Sequence, residues 1–281
     1  MNEIQLAYGR EDDDFFFEHV RRRAKFHCSP HFHRSFEIYY LIAGRRHYFI
    51  KNRSYDVQAG DLVFIDRLDP HQTSDFGDPG HERILINFRE LFLTGGTDHP
   101  LVPAMAFAAF REAGWLLRPK PDDRAFAESL LGRIAGELTR RDAGWESYVR
   151  LLLTELLLFA VRRMNDRPAE ESTHPMHRKV AEIVRHIDEH YAEPLELANL
   201  ARDFYVSAPY LSRSFRKVTG FTLTAYVHFA RVRAAQRLLR DTGGRMLTIA
   251  EAAGFESLAQ FNRIFKRVAG TTPRAYRGQH R

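Results

Sequence analysis

Ser207-Ala-Pro-Tyr-Leu-Ser-Arg-Ser-Phe-Arg-Lys-Val-Thr-Gly220 is followed, at a spacing of 50 residues, by Ser257-Leu-Ala-Gln-Phe-Asn-Arg-Ile-Phe-Lys-Arg-Val-Ala-Gly270. Arg213 falls on Arg263, Phe215 on Phe265, Arg216-Lys217 on Lys266-Arg267, and further along Tyr226 on Tyr276. Leu211, Phe215, Phe261 and Phe265 are core by pattern, which leaves the cations on the outer arc of each helix. Two tandem copies of a short helical unit, basic on one side, suit the reading of two successive stretches of a DNA groove.

Helical periodicity continues on both sides of the repeat. Val180, Ile183, Val184, Ile187 and Tyr191 form the apolar stripe of a helix that Pro194 is expected to end. Further helices are predicted over 197–202, 207–219, 224–239, 247–253 and 257–269. Ser207 is a candidate N-cap, and Ser257 with Gln260 has the form of a capping box. The turn from Ala201 to Ser207 takes six steps and that from Ala250 to Ser257 seven, so the register slips only there.

Charge is segregated along the chain. From Pro175 to the end there are 18 Lys+Arg against 9 Asp+Glu; totals of 42 and 36 leave 24 against 27 before it. A basic tail on a slightly acidic front is the electrostatic footprint of polyanion binding at one end. Cys28 is the only cysteine, which excludes an internal disulfide framework or a Cys-rich zinc site and suits a reducing compartment. The acidic start carries no signal-peptide core, and the most apolar run, 151–161, is too short to span a bilayer. A cytoplasmic protein with no membrane partner is expected.

The front half has a different period. Short strands rich in Tyr, Phe, Ile and Val are predicted over 36–42, 47–50, 61–65 and 83–88, punctuated by Gly44, Asn52, Gly60, Pro70 and Gly77. Closely spaced strands of this kind argue for a small antiparallel barrel or sandwich. From 122 to 163 the pattern turns helical, with Phe126, Leu130, Ile134 and Leu138 on one face of a first helix. Tyr148, Leu151, Leu152, Glu155, Leu156 and Phe159 belong to a second, apolar around much of its circumference; it either packs on the barrel or meets a second copy. The expected architecture is α+β in two domains: an N-terminal barrel with flanking helices over 1–165, a linker over 166–176, and an all-α domain over 177–281.

The tail resembles the AraC/XylS family of bacterial regulators. The residues that carry the resemblance are Gly254-Phe255, Phe261-Asn-Arg263-Ile-Phe265-Lys266-Arg267, Gly270-Thr-Thr-Pro273 and Tyr276-Arg277. Tyr226, Arg231-Val232, Ala235 and Leu238-Leu239 in the connecting helix match as well. The resemblance implies that two recognition helices enter adjacent major-groove segments about one helical turn (~34 Å) apart. Base-reading candidates are Pro209, Ser212 and Arg213 in the first helix and Leu258, Ala259, Asn262 and Arg263 in the second. Arg213 and Arg263 suit guanine, Asn262 suits adenine, and Leu258 and Ala259 offer only apolar contacts. Arg216, Lys217, Lys266 and Arg267 lie later and suit phosphates. The place of Arg231 in the family pattern implies packing within the connecting helix rather than a DNA contact.

The front domain resembles the cupins. His31-Phe-His33, three residues, Glu37, six residues and Gly44 match the first cupin motif without a gap. Gly60, five residues, Asp66, then His71 keep the spacing of the second, with Asp66, Leu68 and Asp75 where that motif usually has Pro, Gly and Asn. Residues two apart on a strand share a side, so His31 and His33 can both face inward, as can Glu37 and Tyr39. Three imidazoles and a carboxylate suit a divalent transition metal; alternatively His31, His33, Glu37, Tyr39 and His71 line an organic effector site, with Arg46 or His47 adding contacts. No cofactor is required, and a divalent metal in the pocket is the one candidate.

Together these features describe a ligand-responsive transcription regulator, not an enzyme. Its expected partners are double-stranded DNA, a small-molecule effector (a sugar or related carbohydrate foremost), RNA polymerase and a second copy of the chain. A metal-dependent cupin enzyme with a DNA-binding appendage, and a constitutive DNA-binding protein with a structural barrel, are the rival readings.

Overall fold

The computed structural model describes residues 2–24, 33, 35–67, 69–77, 80–95, 104–110, 116–164 and 174–279. Cys28, His31, Leu68 and the linker stretch 166–173 lie outside the described residues. The chain divides into two compact units, Met1–Ser172 and Thr173–Arg281.

The first unit contains strands β1 (Asn2–Tyr8), β2 (Phe15–Arg22), β3 (Phe36–Ala43), β4 (Arg45–Ile50) and β5 (Arg53–Gln58). After them come β6 (Leu62–Ile65), β7 (His71–Asp75), β8 (His81–Phe88) and β9 (Leu116–Leu117). They form a six-stranded sheet in the order β1-β2-β8-β3-β6-β9 and a three-stranded sheet in the order β5-β4-β7. Every pairing is antiparallel. The expected barrel is thus realised as two antiparallel sheets. All four predicted strands are present, most of them longer than expected, and five more accompany them. Strand β7, His-Gln-Thr-Ser-Asp, has little intrinsic strand preference; pairing along β4 makes it one. The sharp reversal between β3 and β4 needs Gly44, at φ 96°, because a Cβ there would lie 2.5 Å from the Gly80 carbonyl oxygen.

Alternation along β3 sorts its side chains between two cores. Phe36, Ile38 and Tyr40 face the helices, where they join Leu130, Ile134, Leu138, Leu152, Leu153, Leu156 and Leu157. Tyr39 and Leu41 face the other sheet, among Phe16, Tyr48, Ile50, Tyr55, Val57, Val63, Ile65 and Leu85. The flanking helices are α1 (Glu90–Thr94), α2 (Pro121–Arg140) and α3 (Trp145–Met164), with a 3-10 turn over Ala104–Phe110. Most of α3 is core to its own unit, and its exposed strip carries Tyr148, Leu151, Glu155 and Arg162. Phe126, expected on the inner face of α2, is instead 41% exposed, its ring 5.1 Å from Phe159.

The second unit is entirely helical among its described residues: α4 (Pro175–Glu189), α5 (Leu197–Asp203), α6 (Ala208–Thr219), α7 (Leu223–Asp241), α8 (Met246–Ala252), α9 (Leu258–Ala269) and α10 (Pro273–Gln279). Pro175 and Met176, assigned to the linker by composition, open α4, since a proline is well suited to the first turn. The helix stops at Glu189, before Pro194, and Tyr191 lies in the turn that follows. Arg231 fastens that turn to α7, donating from Nε to the Tyr191 carbonyl (2.8 Å) and from Nη2 to the Glu193 carbonyl (2.9 Å).

The repeat in sequence is a repeat in packing. Phe215 meets Tyr226 edge-on at 5.6 Å, and Phe265 meets Tyr276 edge-on at 5.6 Å. Ser207 Oγ accepts from the Tyr210 amide at 3.3 Å and Ser257 Oγ from the Gln260 amide at 3.2 Å. Each such cap stabilises its helix by about 1 kcal/mol. The Gln260 side chain accepts from the Glu256 amide, one residue beyond the usual capping-box target. Gly220 and Gly270 end the two helices in the left-handed conformation, at φ 77° and 70°.

Candidate functional site

The first unit buries an unusual amount of charge between its sheets. Glu37 and Tyr39 project from β3, Arg46 and Tyr48 from β4, and His71, Thr73 and Asp75 from β7. Strand register places Asn87 opposite Glu37 and Arg83 opposite Leu41, on the same inner face. On β2, Glu18 and Arg22 share the parity of the inward-facing Phe16.

His33, Glu37 and His71 converge at one end, their nearest ligand atoms within 4.8 Å of one another. Glu37 Oε2 lies 3.0 Å from His33 Nε2 and 3.7 Å from His71 Nε2. Both imidazoles are oriented by backbone carbonyls: His33 Nδ1 lies 2.8 Å from the Ser35 oxygen, and His71 Nδ1 lies 2.9 Å from that of Asp69. A carbonyl only accepts, so each Nδ1 donates to it and each ring turns its Nε2 toward Glu37. Two ring nitrogens and a carboxylate this close form a donor set that a proton or a bound cation bridges. The residues therefore fit a divalent transition metal.

Tyr39 lies two residues along β3, buried, with its ring 5.0 Å from Tyr48. Burial above all pushes its hydroxyl up to about 12, against the fields of Arg83, Arg46 and Arg22 and with that of Glu37. Arg46 is buried and pairs with Asp75, its Nε donating to Thr73 Oγ1 at 3.1 Å. His47, one residue on, faces the opposite side of β4 and pairs with Asp56 at 2.6 Å. Of the two contacts guessed after Gly44, only Arg46 points inward. Glu18, Arg22, Arg83 and Asn87 were missed from sequence. Their signal was there as polar residues at alternate positions in Phe16-x-Glu18-x-Val20-x-Arg22 and Arg83-x-Leu85-x-Asn87.

In the second unit, helices α6 and α9 present matching surfaces. Pro209, Ser212, Arg213, Arg216 and Lys217 are all exposed on α6; Leu258, Ala259, Asn262, Arg263, Lys266 and Arg267 are all exposed on α9. Leu211, Phe215, Phe261 and Phe265 are buried beneath them. Tyr210, not singled out from sequence, is 41% exposed beside the α6 set. The connecting helix α7 has 19 residues, about 28 Å of rise. Its buried residues run along its length, from Leu223 and Tyr226 to Ala235 and Leu239, because both helix-turn-helix copies pack on it. Arg231 is committed to the Tyr191 turn, where packing within its own helix had been expected.

A family model described as an AraC-like ligand binding domain matches residues 16–135, and one described as a helix-turn-helix domain matches 200–279. The transcriptional activator RhaR of Yersinia pseudotuberculosis serotype O:3 (strain YPIII) is 25% identical over 247 residues, covering 88% of this chain and 83% of that protein. The transcriptional regulator YisR of Bacillus subtilis (strain 168) is 30% identical over 128 residues, 46% of this chain and 43% of that protein. ToxT of Vibrio cholerae superposes with a TM-score of 0.39 and 13% identity, covering 95% of this chain and 99% of that one. With its AraC-like ligand-binding domain, its antiparallel sheets and a helical domain of two helix-turn-helix units, the chain belongs to the AraC/XylS family of transcription regulators.

Proposed function

We propose that the protein binds a small polar effector between the two sheets of its first unit and a two-turn DNA site with α6 and α9, and that the effector changes promoter engagement. The burial of Glu37, Arg46, His71, Arg83 and Asn87 between the two sheets, with the partly buried Glu18 and Asp75 beside them, carries this reading. Core packing alone does not call for them, since buried charge is costly unless it serves a ligand or a network. The aromatic faces of Tyr39 and Tyr48 beside these groups suit a carbohydrate. Effector action is a population shift, limited to the difference in affinity for the two domain arrangements.

Arg213, Arg263 and Asn262 read bases; Arg216, Lys217, Lys266 and Arg267 hold phosphates. Pro209, Ser212, Leu258 and Ala259 complete the base-facing surface. The name of RhaR supports activation, which needs contact with RNA polymerase in the cytoplasm. The exposed Tyr148 and Leu151 on α3 are the apolar groups left for pairing with a second copy. Footprinting should show protection over two successive helical turns on one face of the duplex. Protection of a single turn, or a gel shift indifferent to nucleotide order, would overturn this reading.

A second reading concerns the metal. His33, Glu37 and His71 would hold a divalent transition ion, which supplies a fixed positive charge for an effector oxygen. Metal analysis of the purified chain, with His33→Ala as control, tests it; loss of promoter response without loss of metal would make the triad an organic contact instead.

A further inference from the structure

The inner face of the first unit holds more hydrogen-bonding capacity than its own residues use. Arg83 Nη1, Tyr39 Oη and Asn87 Oδ1 are buried and have no hydrogen-bond partner among the described residues. The three residues are 7%, 2% and 2% exposed, so water does not serve them freely. Such groups are costly to leave unsatisfied, and three on one face of two neighbouring strands call for an outside partner. The Arg83 guanidinium lies over the Tyr39 ring, 5.9 Å from its centroid. Tyr39 pairs with Leu85 and Glu37 with Asn87, so Asn87 stands two positions from Tyr39, about 7 Å along the strands.

Arg83 is not fully used by its own counter-ion. Glu18 Oε2 accepts from Arg83 Nη2 at 2.5 Å and lies 3.9 Å from Arg22 Nη2. The other amino group of the Arg83 guanidinium, Nη1, is left to a further acceptor, and a cationic donor favours an anionic one. Arg46 has its own counter-ion in Asp75, and Glu37 is engaged by the two imidazoles. At the other end, Asn87 Oδ1 is an acceptor and calls for a donor.

We propose that the effector is a hydroxylated carboxylate of about six carbons, such as a sugar acid. Its carboxylate accepts from Arg83 Nη1 and the Tyr39 hydroxyl, and a hydroxyl at its far end donates to Asn87 Oδ1. The carboxylate forms charge-assisted hydrogen bonds with the Arg83 guanidinium, the stronger kind. The inference rests on the sensor reading above and narrows it from carbohydrates in general to acidic ones.

Matched pairs that differ in the carboxylate decide the matter: galacturonate against galactose, and gluconate against glucitol, titrated calorimetrically into the full chain. Each acid should bind at least about 10-fold tighter than its neutral partner, the yield of one charge-assisted bond. Arg83→Gln should remove that preference, but it also takes a partner from Glu18. Tyr39→Phe removes only a hydroxyl with no hydrogen-bond partner among the described residues, so its melting temperature should hold while acid affinity falls about 5-fold. Equal binding within each pair, neutral sugars alone binding, or an unchanged preference in Tyr39→Phe would each overturn the inference and leave the sensor reading standing. If none of the four binds and a wider panel of sugars, acids and metals also fails to stabilise the chain, both fall.

Discussion

In the first helix-turn-helix unit the turn is closed by Tyr205 at φ 55°, and in the second by Gly254 at φ 82°. Corresponding amide bonds, Val206 to Ala201 and Phe255 to Ala250, are both 2.9 Å long, so the two turns solve one geometric problem with different residues. The reason lies in what each turn faces. A Cβ on Gly254 would sit 2.7 Å from Ala192 Cα and 2.9 Å from the Tyr191 oxygen, against backbone that cannot give way. Tyr205 is 95% exposed and meets no such wall. Residue identity is tightly held where backbone meets backbone and loosely where the same dihedral faces solvent.

The reading faces diverge in the same way above a shared frame. Phe215 with Tyr226 and Phe265 with Tyr276 are superposable pairs, while Tyr210 and Ser212 on α6 stand where Gln260 and Asn262 stand on α9. The frame should therefore respond alike to damage in either copy. Phe215→Ala and Phe265→Ala should each cost about 3–5 kcal/mol in denaturant unfolding, since both rings are fully buried. A cost below about 1 kcal/mol in one copy would break the equivalence.

The faces should respond unequally. Arg213→Ala and Arg263→Ala should each weaken specific DNA binding by about 1–3 kcal/mol and relax preference at one base position. The loss at Arg213 should be the larger, because Leu258 and Ala259 on α9 offer only apolar contacts and α6 is expected to supply more of the discrimination. Equal losses on cognate and scrambled duplexes would show that either arginine touches only the backbone.

The turns give smaller, opposite effects. Gly254→Ala should destabilise by more than about 1 kcal/mol, through dihedral and clash together. Tyr205→Gly should stabilise by about 1 kcal/mol in thermal melts, because it releases a left-handed non-glycine residue. A destabilised Tyr205→Gly would mean that the exposed ring makes a contact the free chain needs.

The smallest effect is electrostatic. His228 on α7 faces Arg267 Nη2 at 3.5 Å; burial first, then the charges of Arg267, Arg231 and Arg263, hold its pKa below the ordinary 6.5. The unfolded chain then binds the proton more readily, so this contribution to stability is whole above pH 6.5 and is lost as the pH falls below it. Melting temperatures at about pH 7.5 and pH 5.5 should differ less in His228→Gln than in the parent. An identical difference would assign the acid sensitivity elsewhere.

Legibility from sequence differs between the units for a physical reason. Helical contacts are local: a stripe at i, i+3 and i+4 needs no knowledge of distant chain, so α4 to α9, the serine caps of α6 and α9 and the exposed residues of those two helices other than Tyr210 were visible. The helix ends were less so, because Tyr191 belongs to the stripe by period yet has its carbonyl taken by Arg231, forty residues away. The strands behaved otherwise. His33, Glu37 and His71 were found because their spacing resembles a known motif; Arg83, Asn87, Glu18 and Arg22 carry no such spacing.

The 50-residue repeat, the segregated charge and the ligand-type residues of the front half were determined by the chain on its own. They are statements about neighbours in sequence and about composition. Which charges meet between the sheets was decided only in three dimensions. Strand order β2-β8-β3 puts Glu18, Arg83 and Tyr39 on one face, and hydrogen-bond register between strands distant in the chain sets who faces whom. A shift of one residue in that register would turn every one of those side chains to the other face.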